Sequence, residues 1–201
     1  MTADRDFETV LAHRRATEAW ETMTQEPRCT LYAVYDGARE PVEMYRALVA
    51  SGLPQSCLFG DAVLSPLREA APWCVHLSAN PGVGRELLLT FWGRQAGIFV
   101  SADAGTELRA MHKHLKRLLQ VKLPTGEKVL FRFYDPRVLR VFAPTCDEDQ
   151  TQQMLGQNQS LWCESEDGGA ILQYDAGDFV HPIEHRLASD MAPIVSIQSQ
   201  K

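Results

Sequence analysis

The sequence predicts an α/β fold: a mixed, partly parallel sheet flanked by helices, followed by a small C-terminal appendage. Three observations lead to this prediction. Short apolar segments alternate with helical segments between residues 31 and 142, which is the order that βαβ units produce. Segments such as L-Y-A-V-Y at 31–35 are apolar throughout, which favours a buried sheet. Beyond Pro144 the composition becomes acidic and rich in Gln, which indicates a different kind of structure.

The first predicted elements are bounded by helix and turn signals. Residues 7–23 carry apolar side chains at helical spacing. A second helix is predicted at 41–52, because Pro41 suits a first helical turn and Gly52 suits a helix end. The remaining elements of this half are strands at 31–37, 56–60 and 71–77 and a short helical piece at 63–70.

The second half of the alternating region ends in a strand-to-helix corner. The strand predicted at 128–134 runs into Asp135 and Pro136, which are typical of the cap and the first position of a helix. The elements predicted before this strand are helices at 83–95 and 104–121 and a strand at 97–101.

We predict that the chain is divided into three parts. Residues 1–28 form an N-terminal helix, residues 29–144 an α/β core domain, and residues 145–201 a small C-terminal lobe or tail. Within the last part, a strand pair is predicted around W-C-E-S and A-I-L-Q-Y. The polar stretch 176–201, which contains two prolines, is expected to be loosely ordered.

Composition and charge exclude several classes of protein. The net charge of −6, without a long basic block, argues against nucleic-acid binding. No apolar run approaches the roughly 20 residues that a membrane span needs, and the first residues lack a signal-peptide core. The five cysteines are odd in number and widely spaced, which is typical of reduced thiols. We therefore expect a cytoplasmic protein.

Candidate catalytic and metal-binding groups are few. The common hydrolase, metalloprotease and nucleotide-binding motifs are missing from the sequence. Cys74 and His76 point to the same side of a strand and could form a thiolate pair, although a buried Cys beside a hydrogen-bonded His is the favoured interpretation. His181 and His185 could share a metal on a helix, but no third ligand is evident. We expect no catalytic site, no cofactor and no metal.

The helix at 104–121 has one strongly basic side. Leucines and methionine form one stripe along it, and the opposite side carries Arg109, Lys113, Lys116 and Arg117. One interpretation is a solvated face of an amphipathic helix. The other is a docking face for an acidic partner, because this basic patch lies on an acidic protein.

Arg132 is an unusual residue for the apolar strand in which the sequence places it. It lies between Phe131 and Phe133, so its side chain faces away from theirs and needs a carboxylate or several carbonyls if the sheet is covered on both faces. Asp135 and Asp36 are equally good candidates for that carboxylate. An Arg–Asp pair that fixes the strand-to-helix corner is the structural interpretation, and recognition of a partner is the functional one.

Several segments of the sequence form an ordered set of motifs. They are L-Y-A-V-Y-D-G-A at 31–38, S-C-L-F-G at 56–60, A-P-W-C-V-H-L at 71–77, the W-G to S segment at 92–101, the helix end at 114–121, and the stretch from Leu123 to Val138 that contains L-F-R-F-Y-D-P-R-V. In this order the segments resemble the chaperone and adaptor proteins of type VI secretion effectors, a family long described as a domain of unknown function. Cys57 and Cys74 stand where the family pattern has leucines.

The resemblance implies a non-enzymatic function. Such proteins bind a toxin effector in the cytoplasm, keep it soluble and help load it onto the spike protein of the secretion machine, without a cofactor. The residues of the family motif that would border the partner site are Arg132, Tyr134, Asp135, Pro136, Arg137, Asp36 and Trp73. We hypothesise that residues 145–201 recognise the partner, because specificity must reside outside the shared core. The alternatives are a small hydrolase or transferase using Cys74 and His76, or an immunity-type binding protein.

Overall fold

A computed structural model of the protein describes residues 2–25, 29–60, 62–64, 66–123 and 125–188, and only the backbone of residues 2–6. Within these residues, no helix is both long and apolar enough to cross a membrane. The helices are α1 (Thr2–Met23), α2 (Pro41–Ser51), α3 (Pro81–Phe91), α4 (Leu108–Leu118), α5 (Pro136–Phe142) and α6 (Glu148–Leu155). The strands are β1 (Cys29–Asp36), β2 (Gln55–Cys57), β3 (Pro72–His76), β4 (Gly97–Asp103), β5 (Gln120–Lys122), β6 (Lys128–Leu130), β7 (Asn158–Glu164), β8 (Ala170–Asp175) and β9 (Ile183–Arg186).

The central sheet is antiparallel throughout, so the predicted mixed, partly parallel sheet is wrong. In the described part of the chain it has seven strands in the order β2-β3-β1-β4-β7-β8-β9, and every neighbouring pair is antiparallel. The strands β3 and β4 do run in the same direction, with α3 between them in the chain, but β1 lies between them in the sheet. The βαβ order is therefore present without any parallel pairing.

The predicted C-terminal appendage is also wrong, because the strands after residue 157 extend the central sheet. β7 pairs with β4, with a shift of register between Ser101 and Ala102. The strand pair expected around W-C-E-S and A-I-L-Q-Y is confirmed as β7 and β8. β9 falls within the stretch expected to be loosely ordered, and residues 189–201 of that stretch lie outside the described residues.

Helices cover both faces of this antiparallel sheet, which explains its uniformly apolar strands. We call the side of α1, α2 and α3 the first face and the side of α4, α5 and α6 the second face. Along β1, Leu31 and Tyr35 enter the first-face core, whereas Tyr32 and Val34 enter the second-face core. Apolar strands that are buried on both faces are common in parallel sheets, but here such burial requires only two helical layers.

Local signals predicted most element types and misplaced some ends. Gly52 ends α2 in a left-handed conformation with φ of 64°, as glycine at a helix end predicts. The described residues between 62 and 70 form turns instead of the predicted short helix. The strand predicted at 128–134 stops at Leu130, and its partner is β5 in a separate two-stranded sheet.

Candidate functional site

The segment L-F-R-F-Y-D-P-R-V, residues 130–138, forms a corner between β6 and α5. The backbone N–H of Phe131 donates to the carbonyl of Leu119 at 2.8 Å, which joins the end of β6 to the end of α4. Asp135 is the N-cap of α5: its Oδ1 accepts the backbone N–H of Arg137 at 3.0 Å. Pro136 occupies the first turn, so the predicted cap and first position are confirmed.

Four charged side chains meet at this corner, and we call them the charge cluster: Asp36, Arg132, Asp135 and Arg137. Arg132 donates to the Asp36 carboxylate and lies 3.7 Å from Asp135. Arg137 makes a bidentate pair with Asp135: its Nε donates to Oδ1 at 2.9 Å, and its Nη2 donates to Oδ2 at 2.5 Å. Both aspartates proposed from the sequence therefore face Arg132, and Asp36 is the nearer one.

The charge cluster buries its acids and exposes its bases. The Asp36 side chain is 1% exposed, whereas the Arg132 and Arg137 side chains are 40% and 50% exposed. Burial alone would raise the pKa of Asp135, but hydrogen bonds from Arg137 and the charge of Arg132 hold that pKa below its ordinary value. Two acids and two bases thus balance, and the cluster ties the end of β1 to the start of α5.

Two further residues that were predicted to border the partner site, Tyr134 and Trp73, are buried inside the protein. Tyr134 is buried against Phe133, with ring centroids 5.5 Å apart, and burial raises its pKa to about 12. Trp73 belongs to the first-face core, and its Nε1 donates to the carbonyl of Arg68 at 3.2 Å. The structure therefore brings Tyr134 beside the charge cluster, but it leaves Trp73 on the opposite face of the sheet from α5.

Two apolar grooves that sequence reasoning missed lie beside this corner. The first, which we call the α5 groove, has a volume of about 600 Å³ and is lined by Phe131, Asp135, Arg137, Val138, Val141, Phe142 and Thr145. The second, the α4–α6 groove, measures about 380 Å³ and is lined by Arg117, Leu118, Gln120, Val121, Lys122, Phe131, Phe142, Gln150, Gln153 and Met154. Phe131 and Phe142 line both grooves and pack edge-on at 4.6 Å. Val141 of α5 is 75% exposed, and no pattern in the sequence predicted this exposure.

The basic side of α4 is exposed as the helical pattern predicts. Met111 and Leu115 are buried in the second-face core. The four basic residues of the opposite side, which we call the basic stripe, are all exposed: Arg109, Lys113, Lys116 and Arg117. None of the four has a carboxylate partner among the described residues. At one end of the stripe, Arg117 lines the α4–α6 groove.

Cys74 and His76 do not form a reactive pair in the structure. Cys74 is fully buried in the second-face core, and burial raises the pKa of its thiol, so it stays protonated and out of reach of a substrate. The His76 ring stacks on Tyr32 with centroids 4.7 Å apart, and burial lowers its pKa. Four of the five cysteines are buried, namely Cys57, Cys74, Cys146 and Cys163.

The histidine pair near the C-terminus has separate partners. His181 lies 3.2 Å from the Asp178 carboxylate, and Nε2 of His185 lies 2.8 Å from Oε1 of Gln173. His185 is part of β9, not of a helix. No group of three or more His, Cys, Asp or Glu side chains in the described part of the chain could hold a metal ion.

A buried acid at the other end of α5 was also missed from the sequence. Glu164 is 2% exposed, and its Oε2 accepts the backbone N–H of Gly93 at 2.8 Å. Burial raises the pKa of Glu164 from 4.5 to about 7, against the lowering effect of its hydrogen bonds and of Arg140. Arg140 donates to the backbone carbonyl of Glu164 at 2.6 Å and to Oε1 of Gln95 at 2.7 Å. We call Gln95, Arg140 and Glu164 the Glu164 node.

Comparison with known families agrees with the segments singled out in the sequence. A family model described as "Domain of unknown function (DUF4123)" matches residues 31–153, which is more than half of the chain. The chain belongs to this family. The DUF4123 match includes the charge cluster, the basic stripe and the residues that line the two grooves, except Met154 of the α4–α6 groove. Searches of curated proteins and of solved structures each found no match.

Proposed function

We propose that the protein is a cytoplasmic chaperone and adaptor that binds a type VI secretion toxin effector. In this proposal it keeps the effector soluble and helps load it onto the spike protein of the secretion machine. The proposal rests on the resemblance of the segments between residues 31 and 138 to such adaptors. The DUF4123 description itself assigns no function.

The observation that carries the proposal is the apolar surface around α5. Contiguous exposed apolar surface on a soluble protein is typical of sites that bind a partner or a ligand, unlike apolar side chains that are exposed singly. Here the conspicuous motif of the family places Phe131 at the wall of such a groove, and Val138 and Val141 follow it on α5. A surface of this kind suits a binding protein whose partner covers it.

A binding role also fits what the candidate catalytic residues do. Cys74 is buried and protonated, and the charge cluster is internally neutralised, so neither offers a nucleophile or a base to a substrate. We therefore propose action by binding, not by catalysis.

The C-terminal part of the chain contributes to the same surface. Gln150, Gln153 and Met154 of α6 line the α4–α6 groove and lie in the stretch 145–201 that we hypothesise to recognise the partner. Deleting residues 146–201 would not test that hypothesis cleanly, because β7 and β8 belong to the central sheet. Substitution of the groove residues is the better test.

The experiment that tests the proposal is purification of the tagged protein from its native cytoplasm, with native mass spectrometry of the eluate. We expect one large toxin-like protein at near-stoichiometric amount, and we expect that protein to become insoluble in cells that lack this chain. A protein that elutes alone, or a partner whose solubility does not depend on it, would contradict the proposal.

A further inference from the structure

We propose that the α5 groove and the α4–α6 groove together hold one segment of the partner, and that this segment is acidic with one apolar face. The inference rests on the proposed function and names the chemistry of the segment that the chaperone binds. It follows from three features of the described residues: the continuity of the grooves, the charges at their rim and the rigidity of their walls.

The two grooves form one surface because they share a wall. Phe131 and Phe142 line both of them. Val141 extends the apolar surface on the α5 side, and Val121 and Met154 extend it on the side of α4 and α6. A single segment with its apolar side chains along one face could therefore fill both grooves, in the manner of amphipathic segments that dock into hydrophobic grooves.

The charges at the rim select an acidic segment. Arg117 and Lys122 line the α4–α6 groove, and neither has a carboxylate partner among the described residues. The side chains that α6 contributes to this groove are uncharged. The carboxylate of the α5 groove, Asp135, is already neutralised by Arg137. The net rim charge is thus positive, and the basic stripe of α4 continues it beyond the groove.

The overall charge of the protein sharpens this selection. The chain carries a net charge of −6, so an acidic segment is repelled by most of the surface. Along the basic stripe and the rim of the groove, unpaired positive charge adjoins exposed apolar side chains. Charge complementarity of this kind guides the approach of a partner and suppresses the wrong orientation.

The walls of the grooves are fixed before the partner arrives. The charge cluster holds the start of α5, Arg140 holds its last turn, and the hydrogen bond from Phe131 to Leu119 holds the adjoining hairpin. Binding to a preformed surface avoids the free-energy cost of ordering it.

The first part of the test locates the segment by site-specific photo-cross-linking. A photoreactive phenylalanine replaces Val141 in the full chain, which is then irradiated in the native cytoplasm, and the linked peptide is sequenced by mass spectrometry. The matched control carries the same group at Val49, an exposed valine on α2 that is 57% exposed against 75% for Val141. We expect a link from position 141 to one partner segment with net negative charge and apolar residues on one face, and no such link from position 49.

The second part of the test measures the charge dependence of the same complex. The double variant Arg117→Glu/Lys122→Glu is compared with Arg46→Glu, which changes an exposed arginine of α2. We expect the double variant to weaken the affinity for the captured partner by roughly tenfold or more, and the α2 variant to leave it unchanged. An unchanged affinity in the double variant would overturn the inference.

The outcomes separate this inference from the proposed function. Linkage from position 49 but not 141, or linkage to a neutral or basic segment, would overturn the inference while a stoichiometric toxin-like partner would still support the proposed function. Linkage of position 141 to a second copy of this chain would also overturn it. If neither position links to another protein and the protein elutes alone, the inference and the proposed function both fail.

Discussion

The two ends of α5 are held by arginine and carboxylate groups in opposite ways. At the start of the helix, the charge cluster pairs each buried aspartate directly with a half-exposed arginine. At the end, Arg140 contacts the backbone carbonyl of Glu164 and the side chain of Gln95, whereas the Glu164 carboxylate accepts the N–H of Gly93. The first arrangement is a set of ion pairs, and the second is a hydrogen-bonded acid without a direct charged partner.

This difference decides which acid responds to pH near neutrality. The pKa of Asp135 is lowered by its arginines, so it stays charged throughout the physiological range. The pKa of Glu164 is raised to about 7 by burial, so it exchanges a proton within that range. Direct pairing thus compensates burial at one end of the helix, and incomplete pairing leaves a titratable acid at the other.

The largest effect on stability is expected from Asp36→Ala. The change leaves Arg132 without its nearest carboxylate and the N–H of Ala38 without the side-chain acceptor at 3.1 Å. We expect a loss of about 2–3 kcal/mol in the free energy of unfolding, below the usual cost for a fully buried pair because Arg132 can be hydrated. Denaturant unfolding measures it.

The control for Asp36→Ala is Asp103→Ala. Asp103 is exposed, and its Oδ1 accepts a hydrogen bond at 3.0 Å from Nε2 of Gln159 on the surface. This variant should unfold within about 0.5 kcal/mol of the wild type. If Asp36→Ala were as mild as the control, the charge cluster would not hold the corner.

The next largest effect is a pH dependence of the free energy of unfolding, and Glu164→Gln should remove it. Because the pKa of Glu164 is raised on folding, the native state keeps a proton that the unfolded state releases. Its contribution to stability is therefore present below pH 4.5 and is lost as the pH rises towards about 7. The difference in the free energy of unfolding between the wild type and Glu164→Gln should therefore decrease by a few kcal/mol between pH 4.5 and about 7.

Comparing the two proteins isolates Glu164 from other titrating groups. His76 and His114 have pKa values lowered mainly by burial, so they favour the native state as the pH rises and oppose Glu164. Both histidines are present in both proteins and cancel in the difference. Glu166→Gln, an exposed neighbour, should keep the wild-type profile. A Glu164→Gln profile parallel to that of the wild type would refute the raised pKa.

A smaller loss of stability is expected when either arginine of α5 is replaced, and the two losses should differ. Arg140→Met should cost about 2 kcal/mol, because it leaves the carbonyl of Glu164 and Oε1 of Gln95 without their donor. Arg137→Met should cost about 1 kcal/mol, since Asp135 keeps the backbone N–H of residue 137 and the nearby Arg132. Thermal unfolding of the two variants side by side measures the order, and the reverse order would contradict the comparison.

The smallest effect on stability is expected from Val141→Ser. Most of this side chain is already in water, so the free energy of unfolding should change by less than about 0.5 kcal/mol. The affinity for the proposed partner should nevertheless fall, whereas Val49→Ser should change neither quantity. A stability loss comparable to that of Arg140→Met would show that Val141 supports the fold and does not serve binding.

Local chemistry made several elements predictable. Proline in the first turn and glycine at the end identified α2, and Asp135 with Pro136 identified the start of α5. The amphipathic pattern correctly assigned the buried and exposed sides of α4. Such signals depend on neighbours in the chain, so the sequence carries them directly.

Long-range arrangement was harder to predict. Nothing in the segments of β1, β3 and β4 states that β1 lies between the other two, so the alternation of strand and helix was misread as parallel pairing. The strand expected at 128–134 stops at Leu130, and Arg132 turns towards Asp36, 96 positions away in the chain. The grooves arise where α4, α5, α6 and the β5–β6 hairpin meet, and no local spacing reveals that junction.

The most direct measurement of the central claim is hydrogen–deuterium exchange of the full chain with and without its captured partner. The claim is that the partner binds the second face, over the α5 groove and the α4–α6 groove. Peptides covering residues 117–123 and 131–154 should exchange more slowly in the complex, and peptides covering α2 should not change. Protection confined to α1, α2 or α3, on the first face, would contradict it.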